Sequence, residues 1–214
     1  MTRPFLYATT NPGKMMEIRN LMRTFDLDLL APQDIGLDLD VAEDGTTLEE
    51  NARLKAEAYL DALAAAGRDD VVVMADDTGL EIDALGGEPG IHVRRWLGYT
   101  MEDEAIIDLC LSKMAGIAPA QRGAQFRTVI ALGAPGMPLK LFDGTLRGVI
   151  QEQPGTLRIP GFPFEALFSV PEWGMLLGEI HYLPAEQKAA YVTHREHAVR
   201  RALPAIRALV TNGA

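Results

Sequence analysis

Residues 71–79 have the sequence Val71-Val72-Val73-Met74-Ala75-Asp76-Asp77-Thr78-Gly79. The first five form a short continuous apolar run, which is typical of a strand buried on both faces. Binding and catalytic groups gather beyond the carboxyl ends of strands in open α/β sheets, so we expect Asp76 and Asp77 at such an end. Adjacent carboxylates repel each other, and Mg²⁺ held by Glu43, Asp76 and Asp77 would supply the counter-charge. The alternative is a turn or helix cap built from Asp76, Asp77 and Thr78.

The segments around this strand predict an α/β fold. Upstream, residues 5–8 form an apolar strand followed by a helix, and a second helix begins near Thr46 or Thr47 and ends near Gly67. Downstream, the periodicity predicts a half-buried strand at 80–84, a helix at 102–114, strands at 125–132, 139–142 and 145–150, and a helix at 186–209. Asp143-Gly144 indicates a hairpin turn, residues 154–163 an irregular loop, and Pro204 a break or kink in the last helix.

The composition is that of an ordinary globular protein, with 48% hydrophobic and 23% charged residues in 214. That length fits one domain or two closely joined lobes, because domains commonly extend to about 250 residues. No repeat or linker divides the chain, so we expect a single domain over residues 1–214. Cys110 lies among apolar residues of a predicted helix, which favours a buried structural thiol over a reactive one.

The net charge of −10 excludes some classes of partner. Binding to a nucleic-acid backbone needs a concentrated basic face, so we expect no nucleic acid. A phosphate site must be local, built from a few cationic side chains, helix N-termini and a bound cation. No segment approaches the ~20 apolar residues of a membrane span, and the N-terminus lacks the apolar core of a signal peptide. We therefore expect a cytoplasmic protein with no membrane partner.

The loop Thr9-Thr10-Asn11-Pro12-Gly13-Lys14 joins small donors, a glycine and a lysine at a predicted helix start. Free backbone N–H groups and the helix dipole favour phosphate at such a position. The GxxxxGK[ST] spacing is absent, so this is not a P-loop. The residues alone leave two interpretations open, a phosphate site and a plain loop with a surface lysine.

Two further polar groups are ambiguous in the sequence alone. Thr47, Asn51 and Lys55 follow one another at intervals of four on the second helix, a stripe that we interpret as solvated surface rather than a site. Near the C-terminus, Lys188 precedes His194 and Arg195, which form either a cationic site or a solvated helix face. Phe162 and Phe164 lie in a loop rich in glycine and proline, where they either anchor the core or stack on a base.

Three sequence blocks occur in a specific order and spacing: Ala8-Thr9-Thr10-Asn11-Pro12-Gly13-Lys14 with Glu17, Gly45-Thr46-Thr47-Leu48-Glu49-Glu50-Asn51-Ala52-Arg53-Leu54-Lys55-Ala56, and Ala75-Asp76-Asp77-Thr78-Gly79-Leu80-Glu81-Ile82-Asp83-Ala84-Leu85-Gly86-Gly87. Together they resemble the inosine triphosphate pyrophosphatase family, house-cleaning enzymes that remove inosine, deoxyinosine and xanthosine triphosphates. The resemblance spans nearly the whole chain. It implies an elongated α/β fold with a mixed, strongly curved sheet, flanking helices and two lobes around a central cleft, and a homodimer.

The resemblance also implies roles for single residues. The triphosphate would be held by the first block and by Lys55, through Thr9, Thr10, Asn11, Pro12, Gly13 and Lys14. Glu43 and Asp77 match the family's metal-binding acids, and Asp77 also matches its proton acceptor. Asp76 would support them, and Thr78 stands where the family usually has a serine that contacts substrate. Mg²⁺-dependent hydrolysis of a nucleoside triphosphate to monophosphate and pyrophosphate is the implied reaction.

The departures from the family lie in its base-recognition segments. The usual Gly-Phe-Gly-Tyr/Trp-Asp is replaced by Gly161-Phe162-Pro163-Phe164-Glu165, and the usual Ser-His-Arg by Thr193-His194-Arg195. We expect Phe162 to stack on a purine, with Pro163, Phe164 and Glu165 beside it, and Lys188, His194 and Arg195 to donate to the base or to phosphate. Cationic donors would favour a 6-keto purine over adenine. Two alternatives stay open, a related enzyme for pyrimidine or other modified triphosphates and a nucleotide sensor without turnover.

Overall fold

A computed structural model of the chain describes residues 2–37 and 39–211. The predicted domain, 1–214, also includes Met1, Asp38 and residues 212–214, which lie outside the described residues. The strands are β1 Phe5–Tyr7, β2 Val72–Ile82, β3 Pro89–Gly90, β4 Gly123–Gly133, β5 Lys140–Ile150, β6 Phe168–Val170 and β7 Met175–Leu176. The α-helices are α1 Pro12–Thr24, α2 Leu48–Ala65, α3 Asp103–Lys113, α4 Ala185–Lys188 and α5 His194–Thr211.

The strands form one mixed sheet in the order β1-β2-β4-β5-β6-β7, with β3 paired to β2. β1 runs parallel to β2, with Tyr7 beside Met74, whereas β3 is antiparallel to β2. Helices accompany this sheet, which confirms the predicted mixed α/β class. No helix within the two described ranges is long and apolar enough to cross a membrane.

Residue contacts divide the chain into two compact units. Unit 1 comprises the described residues of Met1–Thr78, Thr128–Gly144 and Arg195–Ala214, and unit 2 comprises Gly79–Arg127 and Thr145–His194. Each unit has its own apolar core. The core of unit 1 includes Phe5, Tyr7, Ile18, Met22, Val72, Met74, Ile130 and Val199. The core of unit 2 includes Ile82, Ile106, Ile107, Cys110, Ile150, Phe164, Phe168 and Ile180.

Several local predictions are confirmed. The side chain of Thr47 caps α2 by accepting the backbone N–H of Glu50 at 3.1 Å, which explains why this helix begins where the capping spacing places it. The helix predicted at 102–114 is α3, which is shorter by one residue at each end. Cys110 is fully buried, and burial raises the pKa of its thiol to about 12.

The prediction that Asp76 and Asp77 follow the end of a strand is wrong. They lie inside β2, an 11-residue strand that continues to Ile82. Aspartates are rare in strands because their side chains compete for nearby backbone groups. Here Asp76 accepts a hydrogen bond from Tyr7, and Asp77 accepts one from Asn51, so distant partners hold both carboxylates while the strand continues.

Two other boundaries differ from the predictions. β5 passes through Asp143 and Gly144 without interruption, and the turn that follows β4 lies at 134–139 instead. The predicted C-terminal helix is divided before His194, but α5 then continues through Pro204. Pro204 is exposed, and so is Arg200, whose carbonyl loses its helical partner to the proline, so water can satisfy that group.

Candidate active site

The loop before α1 is folded by its own side chains. Asn11 is the N-cap of this helix, and its Oδ1 accepts the backbone N–H groups of Gly13 and Lys14 at 2.9 and 3.1 Å. The hydroxyl of Thr9 accepts the backbone N–H of Asn11 at 3.2 Å. Two of the amides that we expected to face phosphate therefore bind the cap. Thr10 and Pro12, the other members of the predicted phosphate loop, are exposed.

Asp76 has polar partners from several elements of unit 1. Its Oδ1 accepts the Tyr7 hydroxyl at 2.6 Å, and its Oδ2 accepts the Thr78 hydroxyl at 3.2 Å. Lys14 Nζ lies 3.1 Å from Oδ2, and Arg195 Nε lies 3.2 Å from the same oxygen. Burial by itself raises the pKa of Asp76, but the neighbouring cations, first Lys14 and then Arg195, hold it far below its usual range. Asp76 is therefore an anion that holds the ammonium group of Lys14 at the start of α1.

The guanidinium of Arg195 is enclosed within unit 1, with a relative exposure of 1%. Its Nε donates to Asp76, its Nη1 donates to Glu17, and its Nη2 donates to the Thr78 hydroxyl at 3.1 Å. Burial by itself lowers the pKa of Arg195, but Glu17 and Asp76 raise it above its usual value. The interpretation of Arg195 as part of a solvated helix face is wrong, and its predicted contact with substrate stays a prediction.

Asp77 faces a different set of partners from its neighbour in sequence. Its Oδ2 accepts the Asn51 amide at 3.0 Å, and its Oδ1 accepts the backbone N–H of Thr78 at 2.9 Å. Lys55 Nζ lies 3.8 Å from Asp77 Oδ1 and 2.8 Å from Glu43 Oε1, so one ammonium group bridges two carboxylates. Burial raises the pKa of Asp77, although Lys55 opposes the shift. Burial lowers the pKa of Lys55, but Asp77 and Glu43 outweigh it and raise that pKa.

Asn51 shows that the surface interpretation of the α2 stripe is wrong. It is only 2% exposed, and besides donating to Asp77 it accepts the backbone N–H of Gly45 through Oδ1 at 2.9 Å. A Cβ at Gly45 would lie 2.7 Å from the same Oδ1, so this position requires glycine. Lys55 lies one turn further along the helix and faces the same carboxylate. Two members of the stripe therefore position Asp77, and the third, Thr47, caps the helix.

The carboxylates of unit 1 allow a test of the predicted Mg²⁺ site. Among residues 2–37 and 39–211, no three Asp, Glu, His or Cys side chains are grouped as a metal site would require. Asp76 binds Tyr7, Lys14, Thr78 and Arg195, and its place in the predicted three-acid set with Glu43 and Asp77 stays a prediction. Glu43 and Asp77 remain suitable, since both offer the hard oxygen ligands that Mg²⁺ prefers and already share a cationic partner, Lys55.

The predicted base-recognition residues of unit 2 occupy buried positions. Pro163–Ala166 forms a 3₁₀ helix, in which Phe164 is 1% exposed and belongs to the apolar core. Of the two interpretations left open for Phe164, the core anchor is the one observed. Phe162 and Glu165 are 9% and 4% exposed, and His181 Nε2 lies 3.0 Å from Glu165 Oε2.

Lys188 and His194 are also held within unit 2. Lys188 Nζ donates to the carbonyl of Tyr191 at 2.8 Å. His194 is 2% exposed and stacks on Phe126, with ring centroids 4.6 Å apart and planes at 11°. This stacking fixes the imidazole plane, so His194 is not part of a solvated face. The proposed contacts of both side chains with a base stay predictions.

Comparison with known proteins identifies the family. The model of the Ham1 family matches residues 5–205. The chain belongs to the Ham1 family. A protein from Geobacter sulfurreducens named dITP/XTP pyrophosphatase is 40% identical over 200 residues, which cover 93% of this chain and 94% of the relative. A Bacillus subtilis protein of the same name is 35% identical over 196 residues, covering 92% and 93% respectively.

Solved structures of Ham1 proteins agree with this assignment. The Staphylococcus aureus Ham1 protein superimposes with a TM-score of 0.74 at 34% identity, covering 96% of this chain and 98% of that one. The resemblance inferred from the three sequence blocks is thereby confirmed.

Sequence reasoning gave no role to four residues of this candidate site. Tyr7 looked like an ordinary core residue of β1, and Thr128 had no sequence signal, although its hydroxyl lies 2.7 Å from that of Thr78. Glu17 meets Arg195 across 178 residues of sequence, a pairing that no local spacing reveals. Asn51 did have a signal, its spacing of four residues from Lys55, but a solvated helix face has the same spacing.

Proposed function

We propose that this chain is a nucleoside triphosphate pyrophosphatase that hydrolyses non-standard purine nucleoside triphosphates, namely ITP, dITP and XTP, to the monophosphate and pyrophosphate. The observation that supports this most strongly is the pairing of two adjacent strand aspartates with two separate lysines in unit 1, Lys14 with Asp76 and Lys55 with Asp77. The names of the Ham1 relatives supply the substrate class.

Lys14 and Lys55 are suited to bind the triphosphate. Both ammonium groups are mostly enclosed, with side-chain exposures of 14% and 11%, and a partly desolvated cation interacts strongly with phosphate oxygens. Asp76 and Asp77 keep these cations in place before substrate arrives. We assign the neighbouring Thr9–Lys14 loop to the same phosphate groups, with Thr78 as a further hydroxyl donor.

Asp77 is the residue that we assign to proton transfer. A water molecule attacks the α-phosphorus, its proton passes to the Asp77 carboxylate, and the bond to the β-phosphate oxygen breaks with its electron pair leaving on pyrophosphate. Asn51 and the Thr78 amide hold the two carboxylate oxygens in fixed directions. A positioned carboxylate with a raised pKa is a better base at neutral pH than an exposed one.

Glu43 and Asp77 would hold Mg²⁺, with Asp76 supporting them through Lys14 rather than as a ligand. When bound, this ion would neutralise charge on the phosphates and polarise their oxygens. The contacts of Lys55 with both carboxylates support this assignment, because they place a positive charge beside the same two groups.

Base recognition is assigned to unit 2. Phe162 is proposed to stack on the purine and Glu165 to accept the N1–H of hypoxanthine or xanthine, while Lys188 and His194 supply donors. Adenine has an acceptor at N1 and would leave two acceptors facing each other. The family resemblance further suggests a homodimer and a cytoplasmic location.

The test is pyrophosphate release from a panel of triphosphates that includes ITP, dITP, XTP, ATP, GTP, CTP and UTP, with and without Mg²⁺. We expect the highest kcat/KM for ITP, dITP and XTP, dependence on Mg²⁺, and a loss of about a hundredfold or more in kcat for Asp77→Asn, the scale of a lost general base. A preference for pyrimidine triphosphates would identify a different substrate, and nucleotide binding without turnover would identify a sensor.

A further inference from the structure

His181 makes two contacts with the segment that we assign to the base. Its Nε2 lies 3.0 Å from Glu165 Oε2, and these two side chains are 4% and 5% exposed. Its ring centroid lies 6.1 Å from that of Phe162, with the ring planes inclined at 32°. One imidazole therefore contacts both residues assigned to stacking and to hydrogen bonding.

The backbone around His181 is also packed against Glu165. His181 belongs to the 3₁₀ helix Leu177–Tyr182, which contains Gly178. A Cβ at Gly178 would lie 3.2 Å from the Glu165 carbonyl oxygen, tighter than normal packing allows. The two segments are therefore in direct contact, and the backbone that carries His181 is packed against that of Glu165.

We propose that His181 is a positioning residue that fixes the carboxylate of Glu165 and thereby sets the preference for 6-keto purines. Glutamate has one more rotatable bond than the aspartate usual in this family, so its carboxylate needs a second anchor to point in one direction. Because His181 contacts one oxygen of the Glu165 carboxylate, it limits rotation about the side-chain bonds of Glu165. A fixed acceptor discriminates between a purine with N1–H and one with a bare N1, whereas a rotating carboxylate can turn away from either. This inference rests on the proposed function.

The test measures binding, so that it does not depend on turnover. Dissociation constants are determined by calorimetry, with Mg²⁺ present, for the α,β-methylene analogues of ITP and ATP. Asparagine at position 181 is polar but too short to reach Glu165, whereas glutamine keeps an amide donor near the position of Nε2. We expect His181→Asn to reduce the ITP/ATP affinity ratio by about tenfold, the scale of the buried hydrogen bond that we assign between the base and Glu165, and His181→Gln to retain most of that ratio. The matched control is His92→Leu, which changes an exposed histidine of the same unit and should leave the ITP/ATP affinity ratio unchanged.

A double-mutant comparison separates positioning from a general structural role. If His181 acts through Glu165, His181→Asn has no further effect on the ratio in a Glu165→Gln background. In turnover assays, the same variant should raise KM for ITP while kcat stays within about twofold, since the phosphate-binding residues are untouched. Thermal melting establishes that each variant is folded, and His181→Gln provides the comparison with wild type if the asparagine variant is not.

Three outcomes would overturn the inference: an unchanged ratio in a folded His181→Asn variant, an equal loss of ratio in the Glu165→Gln background, or a wild type that binds both analogues equally. A further result distinguishes this inference from the proposed function. A wild type that prefers the ITP analogue but releases no pyrophosphate from ITP would refute the proposed activity, and the ratio would still decide the role of His181.

Discussion

Removal of the Arg195 guanidinium should destabilise the protein far more than removal of an exposed arginine on the same helix. Arg195→Ala deletes donors to Glu17, Asp76 and Thr78 in one step. The side chains of Arg195, Glu17 and Asp76 are 2%, 2% and 1% exposed, so water does not replace the lost contacts.

The magnitude follows from the burial of these charges. Breaking a buried ion pair by deleting one partner costs about 3–5 kcal/mol, because the remaining charge stays desolvated. Domains unfold with a total free energy of about 5–15 kcal/mol, so this loss is about a fifth or more of the total. Arg201 also lies on α5, but its pair with Asp143 joins side chains that are 62% and 44% exposed, and such pairs contribute about 0–1 kcal/mol.

The assay is urea denaturation followed by circular dichroism, on wild type, Arg195→Ala and Arg201→Ala. We expect the free energy of unfolding to fall by about 3–5 kcal/mol for the first variant and by less than about 1 kcal/mol for the second. Arg195→Lys should lie between them, because it keeps the charge but cannot make three directed contacts. Loss of less than about 1 kcal/mol in Arg195→Ala would refute the conclusion that the buried network stabilises unit 1.

Three other predictions concern charge, thiol and site. The pKa of Asp76 is lower in the folded than in the unfolded chain, so the unfolded chain binds more protons as the pH falls. The free energy of unfolding should therefore decrease below about pH 4. In urea titrations, Asp76→Asn should flatten that decrease. The Cys110 thiol, with a pKa of about 12, should resist iodoacetamide in the native protein and react only in urea, so rapid native labelling would contradict its burial. Asn51→Ala should lower kcat/KM about tenfold, because it removes a hydrogen bond that holds Asp77. Glu57→Ala, which changes an exposed residue of the same helix, should leave kcat/KM unchanged. Equal kcat/KM values for the two variants would remove Asn51 from the site.

The local elements were predictable because their determinants are local. A side-chain cap and an apolar face of helical period lie within a few residues of each other, and both identified α2 correctly. β2 was not predicted as one strand, because Asp76 and Asp77 suggest a turn unless their distant partners are known. The hairpin at Asp143-Gly144 failed for a similar reason, since a favourable turn sequence does not exclude a continuous strand.

The candidate site also contains residues that the sequence identified and residues whose roles it did not reveal. Lys14, Lys55, Asp76 and Asp77 were identified from motif and resemblance, and the structure brings each lysine to an aspartate. The roles of Asn51 and Arg195 depend on contacts between residues far apart in sequence, which one sequence does not encode as a pattern. Polar residues at helical spacing have the same appearance on a solvated face and around a buried carboxylate.

The most direct test of the central claim is to locate the oxygen that enters during hydrolysis. ITP is hydrolysed in water enriched in ¹⁸O, the products are separated, and their masses are measured by mass spectrometry. Attack on the α-phosphorus, with Asp77 taking the proton, predicts inosine monophosphate and pyrophosphate as the products, with the ¹⁸O atom in the monophosphate. Label in the pyrophosphate, or release of inosine diphosphate and orthophosphate, would contradict the proposed reaction.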